Sequence, residues 1–252
     1  MPNQSKMDEA KTIMRNLEKA GFPLEVECTE ILREDRWDVS NQVAFIDPDE
    51  NKYRSVDLVA SRLVFRKEII DLNVELVVEC KKSDKPWLFY TSKDIAIIDI
   101  FLSSVQLRSG LSESEIRLYR KNRDLSYIAD SFLSTHLRIH KEIAKIPLEP
   151  LRKGGNPITI LDATMKVCKY ILYDRENRIR IMDRIHKPLF PLNIALPLIV
   201  FDGHLYAYES NRLKLIQSTL YHFDYLGVPF LFDIVTKDFL QNYLSNINKE
   251  AH

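Results

Sequence analysis

The sequence predicts an α/β protein in which helices flank a central sheet. Three observations carry this. Helical stripes near the N-terminus lead into three strand-like apolar runs, another helical stripe follows a Gly/Pro-rich break, and the C-terminal part returns to short apolar runs between turn residues.

Taken in order, Lys6–Ala20 carries Met7, Ala10, Ile13, Met14 and Leu17 at helical spacing and ends at Gly21. After Pro23 a second helix is predicted to about Arg33, with Leu24, Cys28, Ile31 and Leu32 on one side. Trp37–Ile46 reads as the first strand, and Asp47–Lys52 as the turn after it. Tyr53–Phe65 and Asn73–Lys82 are the next two strands, and a turn near Glu68 would pair them antiparallel. A helix is expected over Ser92–Leu107.

Arg108–Gly155 is charged and mainly helical in pattern, with breaks at Gly110, Pro147, Pro150 and Gly154-Gly155. It is predicted as a helical insertion or subdomain within one domain over 1–252, whose core is 21–107 and 156–252. Asn156-Pro157 then supplies an N-cap and a proline suited to the first helical position. The helix beyond carries Leu161, Met165, Cys168 and Leu172 at core spacing, with Lys166 and Lys169 beside the stripe. Leu196–Phe201, Asp202-Gly203 and His204–Glu209 spell a hairpin with an Asp-Gly turn. Leu213–Phe223 and Pro229–Thr236 read as further strands, extending the sheet away from its acidic part, and Lys237–Ile247 as a closing amphipathic helix.

Composition narrows the function classes. Lys plus Arg equals Asp plus Glu at 36 each, so no global positive field would draw in nucleic acid. Any footprint must be local. The clusters Arg117–Arg123 and Arg175–Arg184 supply candidates, although solvated helix faces look the same. Cys28, Cys80 and Cys168 show no CxxC spacing and an odd count, which reads as reduced thiols in a cytoplasmic protein. No apolar run approaches the roughly 20 residues of a membrane span, and Met1–Glu9 lacks a signal-peptide core. No membrane partner is expected.

The most informative stretch is Val74–Lys82. It is an apolar strand that ends in Glu79-Cys80-Lys81. Alternation puts Glu79 and Lys81 on one face, with Cβ atoms roughly 7 Å apart. Charges in so apolar a setting demand a partner or a metal. Glu-x-Lys also occurs at Glu9/Lys11 and Glu50/Lys52, in a polar helix and a turn, where solvated pairs suffice. Ser55–Ala60 is a second apolar strand with Asp57 inside it, and antiparallel pairing brings Asp57 roughly opposite Glu79. Opposed carboxylates repel unless a hard cation such as Mg²⁺ or Mn²⁺ lies between them. The residues alone equally allow an edge-exposed Asp57 beside a Glu79–Lys81 surface pair.

The helix around Glu25, the run Arg54–Ala60 and Val78-Glu79-Cys80-Lys81-Lys82-Ser83 together resemble the PD-(D/E)xK nuclease superfamily. Lys85-Pro86-Trp87 looks like a feature of its uncharacterised prokaryotic members, while Val56 stands where the motif's proline would be. The resemblance implies a restriction-endonuclease-like core (α-β-β-β-α-β) with a mixed sheet. It also implies a Mg²⁺- or Mn²⁺-dependent hydrolase of nucleic acid, foremost a DNA endonuclease of defence, restriction or repair type. Asp57, Glu79 and Lys81 would be its catalytic residues. Asp57, Glu79 and the Cys80 backbone carbonyl would hold the metal, with Glu25 as a further ligand ahead of Glu27. Lys82, Lys166 and Lys169 would contact the substrate phosphates, and relatives often cut as homodimers.

Other sites are set aside on the residues. There is no phosphate-cradling glycine loop and no GxSxG elbow. His136 and His140 have helical metal spacing but lack the Glu of HExxH. Trp87, Phe89 and Tyr90 suit packing of the sheet against a helix more than stacking on bases. The alternative to a nuclease is a catalytically inactive, nuclease-like scaffold that binds nucleic acid or a protein partner. Neutral charge and the absence of a DNA-reading module suit that scaffold, or a nuclease targeted by a partner subunit.

Overall fold

The computed structural model describes residues 22–67, 70–91, 143–148, 159–185 and 190–248, with helical pieces at 8–9, 11–14 and 16–17. Helix α1 (Phe22–Glu34) leads into strands β1 (Asp38–Asp47), β2 (Lys52–Lys67) and β3 (Ile70–Lys82), then β4 (Trp87–Thr91) and β5 (Ile143–Leu148). The long helix α2 (Thr159–Ile185) is followed by β6 (Phe190–Asp202), β7 (Leu205–Glu209), β8 (Arg212–Ile216), β9 (Ser218–Tyr225) and β10 (Val228–Thr236). A 3₁₀ turn (Lys237–Phe239) and helix α3 (Leu240–Asn248) close the chain. The strands form one mixed sheet in the order β1-β2-β3-β6-β10-β9-β5-β4-β7-β8. Helices cover both faces, so the α/β class with a mixed, helix-flanked sheet holds.

Alternation along β3 divides the core into two layers. Val74, Leu76 and Val78 pack with Leu24, Cys28 and Leu32 of α1 and with Leu240, Tyr243, Leu244 and Ile247 of α3. Val77 points the other way, into a layer with Ile160, Ala163, Val167, Cys168 and Ile171 of α2. The α2 stripe is therefore rotated from the one predicted. Cys168 is buried, Met165 and Leu172 flank the core, and Leu161 is exposed. The β-branched Ile160, Val167 and Ile171 take the inner face instead.

The predicted Asp-Gly hairpin does not form. In a flat sheet β6 and β7 would stand five places apart, about 24 Å at the usual strand spacing of about 4.8 Å. Gly203-His204 can bridge only about 10 Å. The sheet must therefore curl until the start of β7 comes within reach of the end of β6. Ser83 N–H donates to the Asp202 carbonyl at 3.2 Å and Trp87 N–H to the His204 carbonyl at 2.9 Å. These bonds carry the parallel β3–β6 ladder round a corner into the parallel β4–β7 ladder. Glycine is needed at 203 for close approach: a Cβ there would lie 2.7 Å from the Phe201 ring and from the Ser83 carbonyl.

The true hairpin turns lie further on. Ser210-Asn211 joins β7 to β8 with φ of 49° and 63°, and Leu226-Gly227 joins β9 to β10 with φ of 52° and 76°. Positive φ at both central residues is the type I′ geometry that matches strand twist. The single strand predicted over Leu213–Phe223 is two, interrupted at Gln217.

Residues 143–148, inside the predicted helical insertion, are a strand of the main sheet, paired with β4 and β9. The rest of 108–155, the helix expected over 92–107, the Arg117–Arg123 cluster, His136, His140 and the Asn156-Pro157 cap lie outside the described residues. Trp87 and Phe89 are buried in β4 itself, where Trp87 stacks on Phe201 with ring centroids 4.1 Å apart. Tyr90 faces the other way beside Tyr208. No helix among the described residues is long and apolar enough to cross a membrane.

Helix α2 is pinned to the sheet by ion pairs as well as apolar contact. Arg178, from the basic cluster considered for nucleic acid, reaches buried Glu75 at 2.6 Å and also bonds Asp174. Lys169 lies 2.9 Å from both oxygens of buried Asp47 and 2.8 Å from Asp49. Asp47 also accepts the Asp49 and Glu50 amides, which locks the turn after β1. Burial opposes the charge on Asp47, but Lys169 and these amides outweigh it and hold its carboxyl below the ordinary value of 3.8. The stabilisation is thus complete above that value and is lost as pH falls through the lower, folded-state value.

Lys169→Met is expected to lower unfolding free energy by about 3 kcal/mol or more near neutral pH, because it strands a buried carboxylate. The gap from wild type should narrow as pH drops through the carboxylate range, where Asp47 becomes neutral. Urea unfolding at a series of pH values reads both effects; a gap independent of pH would contradict this account.

Candidate active site

The register of the β2–β3 hairpin sets the site. Leu58 stands opposite Val78, so the next pair outward is Asp57 with Glu79. The pairing continues, with a register shift between Leu63 and Phe65, to Lys67 opposite Ile70, and the turn predicted near Glu68 lies outside the described residues. Both acids are buried, and Glu79 has no exposed surface at all. Asp57 accepts the backbone N–H of Cys80 through Oδ2 at 2.8 Å, so Cys80 touches the pair through its amide.

Two lysines neutralise the acids. Lys81, two residues along the same face, donates to Glu79 Oε1 at 2.6 Å. Lys166 reaches down from α2 and donates to Asp57 Oδ1 at 3.1 Å and to Glu79 Oε1 at 2.8 Å. Its ammonium also lies 2.8 Å from Glu79 Oε2, but that oxygen receives no directed hydrogen bond. Burial, reinforced by Asp57, pushes the Glu79 carboxyl above the ordinary carboxylate value, with Lys81 and Lys166 pulling against it. Burial also works against the charge on Lys166, yet Glu79 and Asp57 outweigh it and raise its pKa.

Glu25 enters from α1. Its carboxyl feels the charges of Asp57, Lys166 and Lys81, and burial raises its pKa despite the hydrogen bond from Gln42. Gln42 Nε2 donates to Glu25 Oε2 at 2.6 Å, while Gln42 Oε1 accepts from Ser55 Oγ at 2.8 Å. Sequence reasoning missed this chain of polar groups. The one signal for it was the pair Asn41-Gln42 interrupting the apolar alternation between Val39 and Val43.

A local irregularity lets both helices reach one point. Val39 packs in the α1 layer, but Val43 and Phe45 pack in the α2 layer, although all have the same parity. Asn41 still points to α1, where its amide donates to Thr29 Oγ1 at 2.7 Å. The strand therefore turns over at Gln42, which has φ of 49°. Strand β2 switches layers likewise between Val56 and Leu58, on either side of Asp57. The site sits where the faces exchange.

The other predicted residues fall elsewhere. Glu27 faces away and pairs with Lys237 at 3.3 Å. Lys82, on the opposite face from Lys81, lies 3.5 Å from Asp202. Lys169 is engaged with Asp47 and Asp49, as described above. Glu50 and Lys52 form an exposed pair at 3.5 Å, as their turn setting predicts. Cys28 and Cys80, remote in sequence, bring their thiols into contact, and that contact together with burial raises the Cys80 thiol far above its usual value. Such thiols are packing groups, not nucleophiles.

Could these residues hold a divalent cation? The donors are hard carboxylate oxygens, and Glu79 Oε2 is a buried acceptor lacking a hydrogen bond, which suits Mg²⁺ or Mn²⁺ in kind. Among the described residues, no three His, Cys, Asp or Glu side chains gather at metal-ligand spacing. The ammonium of Lys166 lies between the two acids. A cation held by Asp57 and Glu79 therefore requires Lys166 to swing aside, which its part-exposed side chain allows.

Lys166→Met should cost about 3 kcal/mol of stability, since it leaves two buried acids sharing Lys81 alone. Adding Glu79→Gln should restore at least about 1 kcal/mol, a coupling measurable by a double-mutant cycle in urea. Simple additivity of the two changes would show that the bridge is not energetically real.

Compared with known proteins, the chain matches no family model, no curated sequence and no solved structure.

Proposed function

We propose that this chain is a Mg²⁺- or Mn²⁺-dependent nuclease hydrolysing phosphodiester bonds of nucleic acid, foremost a DNA endonuclease of defence, restriction or repair type. The observation that carries the reading is the meeting of Asp57, Glu79 and Lys81 at one point where β2 and β3 pair, with Lys166 on the same two carboxylates. The order α1-β1-β2-β3, followed after β4 and β5 by α2 and β6, with β3 parallel to β6, supports the restriction-endonuclease-like core that the motif resemblance implies, with β4 and β5 as additions to it.

In this reading Asp57 and Glu79 would hold the cation, with the Cys80 carbonyl completing the inner shell and Glu25, whose carboxyl feels the charge of Asp57, as a further candidate ligand. The cation would supply charge relief at phosphorus and lower the pKa of the attacking water. Lys81 is fixed by Glu79 yet partly exposed, so it can orient that water and offset the charge building on the phosphoryl oxygens. Lys166, once released from the acids, is placed to meet the substrate phosphate. With no net charge, the protein would recruit substrate through this local group, a second copy or a partner subunit.

One observation favours the alternative, a nuclease-like scaffold that binds nucleic acid or a protein without cleaving. Lys81 and Lys166 already satisfy most of the charge on the acids. Cleavage decides between the two. Supercoiled plasmid, linear duplex, single-stranded DNA and RNA should be incubated with Mg²⁺ or Mn²⁺ and either wild type or Lys81→Met. The nuclease reading expects metal-dependent cutting by wild type, reduced about two to four orders of magnitude in the variant. Cutting that survives the substitution, or no cutting of any substrate, would count against it.

A further inference from the structure

Among the described residues, Lys166 is the one group on Asp57 Oδ1, at 3.1 Å, and the one cation on Glu79 Oε2, at 2.8 Å. Asp57 Oδ2 is taken by the Cys80 amide, and Lys81 is bonded to Glu79 Oε1. The two carboxylate oxygens best able to share a cation are thus the two that this ammonium covers. Lys169, one turn further along α2, shows what a permanent key looks like. Its side chain is 9% exposed against 26% for Lys166, and it is closed in between Asp47 and Asp49. Lys166 has a way out to solvent. The pairs Lys169–Asp47 and Arg178–Glu75 hold α2 independently, so Lys166 can leave the acids without the helix leaving the sheet.

We propose that Lys166 is a charge latch: it neutralises Asp57 and Glu79 until a divalent cation and a phosphodiester anion are both present, so that the two ligands bind cooperatively through one ammonium. The inference rests on the metal-site reading above and adds the regulation of that site. Each ligand alone meets a penalty. To admit a cation, Lys166 must leave two carboxylates with no anion to receive it. To follow an anion, Lys166 must leave Asp57 and Glu79 to Lys81 alone, and the exposed acids then repel that anion. With both ligands present, the ammonium passes from carboxylate to phosphate and no charge is left unpaired. A ligand whose competent state is a minority binds more weakly by that fraction, and a second ligand selecting the same state removes the handicap. The coupling is reciprocal: the cation must tighten the diester by the factor with which the diester tightens the cation.

Mn²⁺ affinity, read from the electron paramagnetic resonance of the free ion, tests this in wild type, Lys166→Met, Lys166→Gln and Asp57→Asn. Each is titrated with and without diethyl phosphate, a phosphodiester monoanion, at constant ionic strength. Triethyl phosphate, which is neutral, is the control. Lys166→Gln offers the acids a neutral amide and covers the case in which Lys166→Met does not fold, as judged by circular dichroism. In wild type, diethyl phosphate is expected to tighten Mn²⁺ binding about tenfold, and triethyl phosphate not at all. Without diester, a folded Lys166 variant should bind Mn²⁺ about tenfold more tightly than wild type and lose most of the response to diester. No tightening by diethyl phosphate in wild type overturns the proposal by itself. Unchanged or weaker Mn²⁺ binding in the Lys166 variants, with binding lost in Asp57→Asn, overturns the latch and leaves the metal site standing. A full diester response in those variants overturns the route through Lys166. Absence of Mn²⁺ binding in wild type and Lys166 variants alike removes the metal site, and this inference with it.

Discussion

Two buried carboxylates on adjacent strands need positive charge, and that need organises this molecule. Asp57 and Glu79 are brought face to face by the β2–β3 register, and unpaired they would repel at a cost the fold could not bear. Lys166 meets the need from α2, and the same helix places Lys169 on Asp47 and Arg178 on Glu75. The helix is thus keyed to the sheet at three points along its length, each joining a basic residue of α2 to an acid that apolar packing alone would exclude. The site and the seating of α2 are one piece of architecture. Any chemistry at the acids must loosen one of these keys.

The curled sheet provides the rigid background. Strands β3 and β6 run parallel from the site and turn the corner together into β4 and β7, with Gly203 allowing the Phe201 ring and the Ser83 carbonyl to approach. Glu79, Cys80 and Lys81 end the straight part of β3, just before the corner. A strand end held by a parallel neighbour and a bend is well fixed. Position matters more than composition here, since only fixed carboxylates can hold a cation in a defined geometry.

Much of the fold was legible because its signals are local. The alternation in Val74–Lys82, the stripe in α1 and the turn at Asp47–Lys52 each state their structure within a few residues, whereas the 58–78 register depends on a shift between Leu63 and Phe65 that no pattern announces. The Asp202-Gly203 signal misled because glycine serves two purposes: positive φ in a turn, and absence of a Cβ where chains crowd. Only the tertiary corner decides which applies. The turns at Ser210-Asn211 and Leu226-Gly227 were missed because Ser and Leu are poor advertisements for αL backbone. In the site, Asp57, Glu79 and Lys81 were visible as charges in apolar strands. Gln42 was not, because its importance lies in a backbone conformation that no spacing encodes. The bridging position of Lys166 depends on the pitch and seating of α2, a property of packing, not pattern.

The central claim is that Asp57 and Glu79 form a cation site whose resident ammonium yields to a divalent metal. Crystals grown with Mn²⁺ test it most directly, through anomalous scattering at the manganese edge. The account predicts a peak between the Asp57 and Glu79 carboxylates, with Lys166 Nζ moved away from both. Lys166 still bridging the two acids, with no anomalous peak near either at millimolar Mn²⁺, would contradict it.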